Sequence, residues 1–188
     1  MNKVSNGEGP ANASPIHLWP YPIDPWPGEP LPDEYDLLIY AKNGHRPGLL
    51  EHLVELFPRH VQIHYGQYRR EQLYDAARKS RACAYLADDD HGPLALQEIL
   101  LSGCPVVGVR TGAAFVRHGV TGLLVDRLPP GWRCIGCDQD KENLDEYLRS
   151  IYAATEFDRT AVRLASESIF STMCVVDSVV ASLESLRS

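Results

Sequence analysis

The sequence predicts an α/β domain over residues 34–188: a parallel sheet of about five strands flanked by helices and closed by a group of C-terminal helices. Three observations predict it. From Tyr35 onward, short apolar runs alternate with segments of helical spacing, the pattern of parallel strands joined by crossover helices. The apolar run Ala-Cys-Ala-Tyr-Leu at 82–86 ends in Asp88-Asp89-Asp90, and a helical cluster of Leu94, Leu96, Ile99, Leu100 and Leu101 follows, so a buried strand feeds a loop and the loop feeds a helix. Residues 1–33 hold eight of the fourteen prolines, which excludes a helix or a central strand there and marks an extended arm outside the domain.

Each element follows from local chemistry. Leu-Leu-Ile-Tyr at 37–40 is a continuous apolar run and reads as a buried strand. Residues 47–57 form a helix opened by Pro47, 61–65 a strand, 69–79 a helix and 82–86 a strand. The helix at 93–102 starts around Asp90, His91 and Gly92, with Pro93 suited to a first turn where a missing N–H costs nothing, and Gly103 stops it. Its first amides face the carboxyl end of the strand before it, where open parallel sheets bind phosphorylated ligands. Strands at 105–109 and 122–125 complete the sheet. Leu144, Tyr147, Leu148, Ile151 and Tyr152 recur at intervals of three and four, as do Val175, Val176, Val179, Val180 and Leu183, so residues 140–187 read as two or three amphipathic helices.

Composition narrows the function classes. A chain of 188 residues buries one proper core and is too short for two full domains of this type. A net charge of −7, with Arg69-Arg70 the only basic cluster, argues against a nucleic-acid partner. No window reaches the roughly 18 apolar residues of a transmembrane segment, and the N-terminus lacks a leader pattern, so a cytoplasmic location is expected. Five cysteines, an odd number scattered through apolar runs, fit reduced thiols. Cys134 and Cys137 have the spacing of half a zinc or redox site but no second pair, and no metal is expected there or at Asp88-Asp89-Asp90. His60, His64 and His118 are isolated; Tyr65, Tyr68 and Tyr74 could face a nucleobase, with core packing the more ordinary use of Tyr65 and Tyr74.

Residues 90–125 carry a recognisable order: Asp90, seven residues, Glu98, then Gly103-Cys104-Pro105-Val106-Val107 and Gly119-Val120-Thr121-Gly122-Leu123-Leu124-Val125. Upstream stand Tyr65-Gly66, Glu71-Gln72-Leu73-Tyr74 and Ala76-Ala77. This resembles the C-terminal, donor-binding domain of retaining GT-B glycosyltransferases of the family-4 type, which carry an acidic residue, seven residues, a Glu, Gly-x-Pro-Val-Val and Gly-x-Thr-Gly-Leu-Leu-Val. The match spans about residues 16–185 and is sharp over 65–126. The resemblance implies a Rossmann-like domain forming one half of a GT-B fold, with residues 1–33 similar to the interdomain linker.

It also implies roles. Asp90 and Glu98 would be the catalytic acidic pair, Asp90 holding sugar hydroxyls and Glu98 the two ribose hydroxyls. Lys42 and Arg46, with His91 and Leu94, would bind the donor, the two cations neutralising the leaving diphosphate. Each has an ordinary structural use as well: Lys42 and Arg46 as solvated loop cations, Asp90 as a helix N-cap, Glu98 as a surface carboxylate. The sequence departs from the family in having Asp for Glu at 90, His91-Gly92-Pro93 for Gly-Phe-Gly, and only Pro58-Arg59-His60 where the family has an extra strand and helix, which shortens the sheet by one strand.

The function implied is that of the donor-binding domain of a nucleotide-sugar-dependent retaining glycosyltransferase, group 1 type and hexosyltransferase class. It needs no cofactor or metal beyond a nucleoside-diphosphate sugar as donor substrate. The acceptor site would come from a separate domain, a partner chain or a homo-oligomer, leaving the isolated chain inactive. The alternative is a non-catalytic, glycosyltransferase-like module that binds a nucleotide or a protein partner.

Overall fold

A computed structural model describes residues 29–42, 47–90, 94–130 and 135–185. Arg46, His91, Cys134 and all but the last five residues of the expected arm lie outside them. The elements run β1 (Tyr35–Ala41), α1 (Pro47–Leu56), β2 (His60–His64), α2 (Arg70–Arg78), β3 (Ser80–Leu86), α3 (Leu94–Leu101), β4 (Val106–Val109), β5 (Gly122–Val125), α4 (Asp138–Ala154), α5 (Arg159–Phe170) and α6 (Thr172–Ser185). The tail expected as two or three helices is three.

The five strands form one sheet in the order β2-β1-β3-β4-β5, with every pairing parallel. Alternation along the central strands explains the two cores. Leu38, Tyr40, Cys83 and Tyr85 face α2, α3 and α5, where Leu73, Leu96, Ile99 and Phe170 close the layer. Leu37, Ile39, Ala82 and Ala84 face the other way, onto Leu49 and Leu53 of α1 and Tyr147 and Ile151 of α4. A strand buried on both faces must be apolar throughout, which is why 37–40 is a run without alternation. Full burial of each such side chain contributes about 1.5–3 kcal/mol.

The helix boundaries follow local chemistry. At α2, Gln72 Oε1 accepts from the Arg69 amide at 2.8 Å, and at α5 the Asp158 carboxylate accepts from the amides of Thr160 and Ala161. The end of α3 is a Schellman turn: the Gly103 amide donates to Leu100 O (2.9 Å) and the Cys104 amide to Ile99 O (3.2 Å). Gly103 sits at φ +78°, so the sequence expectation that it stops this helix is met by geometry that glycine alone adopts without strain.

Residues 29–33 lie across the ends of α2 and α5. The Leu31 amide donates to Arg78 O (2.8 Å), Arg159 donates to Leu31 O (2.9 Å) and pairs with Asp33, and Arg163 pairs with Glu29 at 2.6 Å. At the other extreme, α6 buries only Val175 and leaves Met173, Val176, Val180 and Leu183 exposed. Among the described residues no single helix is long and apolar enough to cross a membrane. Cys83, Cys104, Cys137 and Cys174 are free thiols.

An added Cβ at Gly103 would lie 2.7 Å from both Arg159 O and Pro30 Cγ. Gly103→Ala should therefore lower stability by at least about 1–2 kcal/mol, the cost of the left-handed conformation alone, read by chemical denaturation. An unchanged midpoint would contradict this account of the turn.

Candidate functional site

The chain leaves β1 toward β2 on one side of the sheet and leaves β3 toward β4 on the other. Between β1 and β3 the connections diverge, and open parallel sheets form their ligand crevice at the carboxyl end of such a pair. A cavity of about 440 Å³ opens there. Its wall includes Tyr40 at the end of β1, Lys42 just after it, Tyr65 and Tyr68 after β2, Tyr85 of β3, and Leu94, Ala95 and Glu98 of α3.

The floor is built from aromatic rings. Tyr40 and Tyr85 are register partners on adjacent strands, and their rings stack 5.0 Å apart at an interplanar angle of 5°. The Tyr40 and Tyr68 hydroxyls meet at 3.3 Å. The Tyr85 hydroxyl donates to Asp90 Oδ2 at 2.6 Å. Burial, with Tyr68 and Asp90 adding to it, holds the Tyr40 phenol far above its usual range; burial and the bond to Asp90 do the same for Tyr85. Both rings stay neutral hydrogen-bonding groups at any pH the fold meets.

Two ion pairs stand on this floor. Lys42 Nζ is 2.7 Å from Asp90 Oδ1 and 4.9 Å from the centre of the Tyr65 ring. The Asp90 side chain is 2% exposed and that of Lys42 19%, so the carboxylate is buried and the ammonium reaches the cavity. On the opposite wall, Arg70 Nε lies 2.6 Å from Glu98 Oε1. The Tyr74 hydroxyl donates to the same oxygen at 3.2 Å, and the Arg70 guanidinium lies over the Tyr74 ring at 5.2 Å. Burial and the Glu98 carboxylate push the Tyr74 phenol up to about 12. Burial disfavours the Arg70 cation, but Glu98 more than offsets this and raises the guanidinium above its ordinary value.

The structure thus brings Lys42, Asp90, Leu94 and Glu98 to one cavity. Arg46 and His91 lie outside the described residues. Glu98 is buried rather than a surface carboxylate, because α3 is covered on both flanks by α2 and α5. Tyr65, for which the sequence offers either a nucleobase or, more ordinarily, core packing, is 52% exposed, since it follows the last residue of β2 and stands on the cavity rim. Sequence reasoning passed over Tyr40 and Tyr85 as strand residues and Arg70 as half of an isolated basic pair. A signal for Arg70 was present: Arg70 and Tyr74 are four apart, which places both on one face of α2.

No protein-family model matches the chain, and no curated protein matches it in sequence. Solved structures do match in fold. AviGT4, a glycosyltransferase involved in avilamycin A biosynthesis, aligns with a TM-score of 0.55 at 17% identity over 89% of this chain and 57% of its own. The lipopolysaccharide outer core galactosyltransferase WaaB, in its apo form, aligns with a TM-score of 0.60 at 11% identity over 88% and 54%. Anabaena Alr3699/HepE in complex with UDP-glucose aligns with a TM-score of 0.50 at 17% identity over 80% and 49%. The chain spans about half the length of these structures and has the α/β fold of one half of a GT-B glycosyltransferase.

Removing Lys42 from the Lys42–Asp90 pair leaves a buried carboxylate, still bonded by the Tyr85 hydroxyl, without that cation. Because Lys42 is partly solvated, Lys42→Met should lower stability by about 1–3 kcal/mol, under the full cost of breaking a buried pair. Adding Asp90→Asn should return most of the loss, measured by denaturation of the single and double variants. Equal stability of wild type and Lys42→Met would contradict a structural role for the pair.

Proposed function

We propose that this chain is the donor-binding part of a nucleotide-sugar-dependent retaining glycosyltransferase. The observation that carries the reading is that Lys42, Asp90, Leu94 and Glu98, singled out by sequence order, line one cavity at the carboxyl edge of the sheet. A sugar nucleotide leaves as a diphosphate, so the site must oppose negative charge that grows on phosphate oxygens. Lys42 supplies a fixed cation there, with Arg46 as the second. The Glu98 carboxylate accepts from the ribose diol. Fixed side-chain cations take the place of a metal, and the donor is the only small molecule the reading requires.

The Lys42–Asp90 pair gives this reading a sequence of events. Asp90 has Oδ1 on Lys42 and Oδ2 on the Tyr85 hydroxyl. An arriving diphosphate competes with Asp90 for the Lys42 ammonium, and the Asp90 carboxylate is the group set to meet a sugar hydroxyl. Phosphate arrival and sugar contact are thereby coupled. The acceptor is presented by another domain or a partner chain, and the Pro-rich residues 1–33 form the link toward it.

One observation favours the second reading, a non-catalytic module that binds a nucleotide or a protein. Among the described residues of the cavity, two cations, Lys42 and Arg70, face two carboxylates, Asp90 and Glu98, so their charges cancel. A surplus of positive charge for a diphosphate then depends on Arg46 and His91.

Calorimetry against uridine, guanosine and adenosine diphosphate sugars tests the proposal, with binding of at least one expected. Glu98→Ala should weaken that binding by about 1.5–3 kcal/mol, the scale of a hydrogen bond to a charged group. Unchanged affinity would remove Glu98 from the site. Neutralising Lys42 and Arg46 together should weaken the diphosphate far more than the free nucleoside, and equal losses would deny them the phosphate. Because acceptor positioning is worth roughly 7–11 kcal/mol of barrier, the purified chain should bind donor yet show no transfer alone. Turnover by the monomer with a defined acceptor would contradict the divided site.

A further inference from the structure

Arg70 has no role in the sequence pattern that points to the site, yet it lies on the cavity wall and its side chain is 55% exposed. Resting on the donor-binding reading above, we propose that Arg70 is a positioning residue: it fixes the Glu98 carboxylate by one oxygen so that the other meets the ribose diol.

The geometry is a closed triangle. Arg70 and Tyr74 are one turn apart on α2, with the guanidinium over the ring at 5.2 Å. From that stack, Arg70 Nε (2.6 Å) and the Tyr74 hydroxyl (3.2 Å) converge on a single oxygen, Glu98 Oε1. Among the described residues no hydrogen bond reaches Oε2, while the Glu98 side chain is only 10% exposed and lines the cavity. An ion pair and a hydrogen bond on one oxygen oppose rotation of the carboxylate about its terminal bond. The Tyr74 phenol, pushed up to about 12, remains a donor throughout the neutral range. A carboxylate held this way presents Oε2 with its orientation already set, which lowers the ordering cost of ligand binding.

A lysine at position 70 would keep the charge but lose the planar stack and the directed Nε–H. Loss of the Arg70 charge should act alike on every diphosphate, whereas its positioning of Glu98 should act through the ribose hydroxyls.

The test compares wild type, Arg70→Met and Arg70→Lys by calorimetry, using uridine, guanosine and adenosine diphosphates and their 2′,3′-dideoxy counterparts. Arg70→Met should weaken the ribonucleotide that wild type binds best by about tenfold more than it weakens the dideoxy form. Arg70→Lys should recover part of the ribonucleotide loss. Equal losses for ribo and dideoxy ligands would overturn the proposal, because they would mean a direct contact or a general change in the site. No loss for either would overturn it too. Should Arg70→Met fail to fold, the ribo-to-dideoxy ratio of Arg70→Lys decides: a ratio lower than that of wild type supports the proposal and an unchanged ratio overturns it. If wild type binds none of these nucleotides, the donor reading itself falls and takes this inference with it. If wild type binds and the variants behave as wild type, only the inference is lost.

Discussion

The stack of Tyr40 on Tyr85 holds the floor of the site in place. These residues are register partners at the carboxyl ends of the two central strands, so the strand pairing that fixes the sheet also fixes the rings. Their hydroxyls extend that constraint outward, one to Tyr68 and one to Asp90. Asp90 then places Lys42, and Lys42 lies over Tyr65. A chain of contacts beginning in the core thus ends at a charged group on the cavity surface. Placing two tyrosines where β1 and β3 would otherwise carry Val or Ile has a cost, since each buried phenol needs a partner. Both partners are residues of the cavity wall.

The opposite wall is built differently. Glu98 sits inside α3, covered by α2 and α5, and is reached by Arg70 and Tyr74 from one face of α2. One wall is therefore set by strand register and the other by helix packing, and the cavity lies where the two meet. This explains why the site needs the whole sheet although few residues touch the ligand space. It also explains the division of labour between the charged pairs. Asp90 is nearly fully buried and its lysine reaches the surface, whereas at Glu98 the arginine is the half-exposed partner.

Much of this was legible in the sequence. The strand run 37–40, the glycine stop at 103 and the two apolar periodicities of the tail are local signals, and each became the expected element. Asp90 and Glu98 were legible because a loop and one helix carry both. The partners of these residues were not. Tyr40 and Tyr85 are far apart in the chain and meet only through parallel pairing, so nothing local distinguishes them from other strand aromatics. The ion pairs Lys42–Asp90 and Arg70–Glu98 likewise join separate elements, and a neutralised pair reads in sequence as unrelated charges. Tyr65 shows the same limit from the other direction. Core packing is the more ordinary use of such a tyrosine, but its place one residue beyond β2 puts it on the rim.

Everything proposed for the site requires that the crevice between β1 and β3 take the nucleotide. Backbone amide NMR of the wild-type chain, titrated with the sugar nucleotide that binds best, reads this directly. The largest shifts should cluster at Lys42, at Tyr65 through Arg70, and at Leu94 through Glu98, with the exposed face of α6 unmoved. Shifts centred on α6 or on the ends of α2 and α5, with the crevice silent, would contradict it.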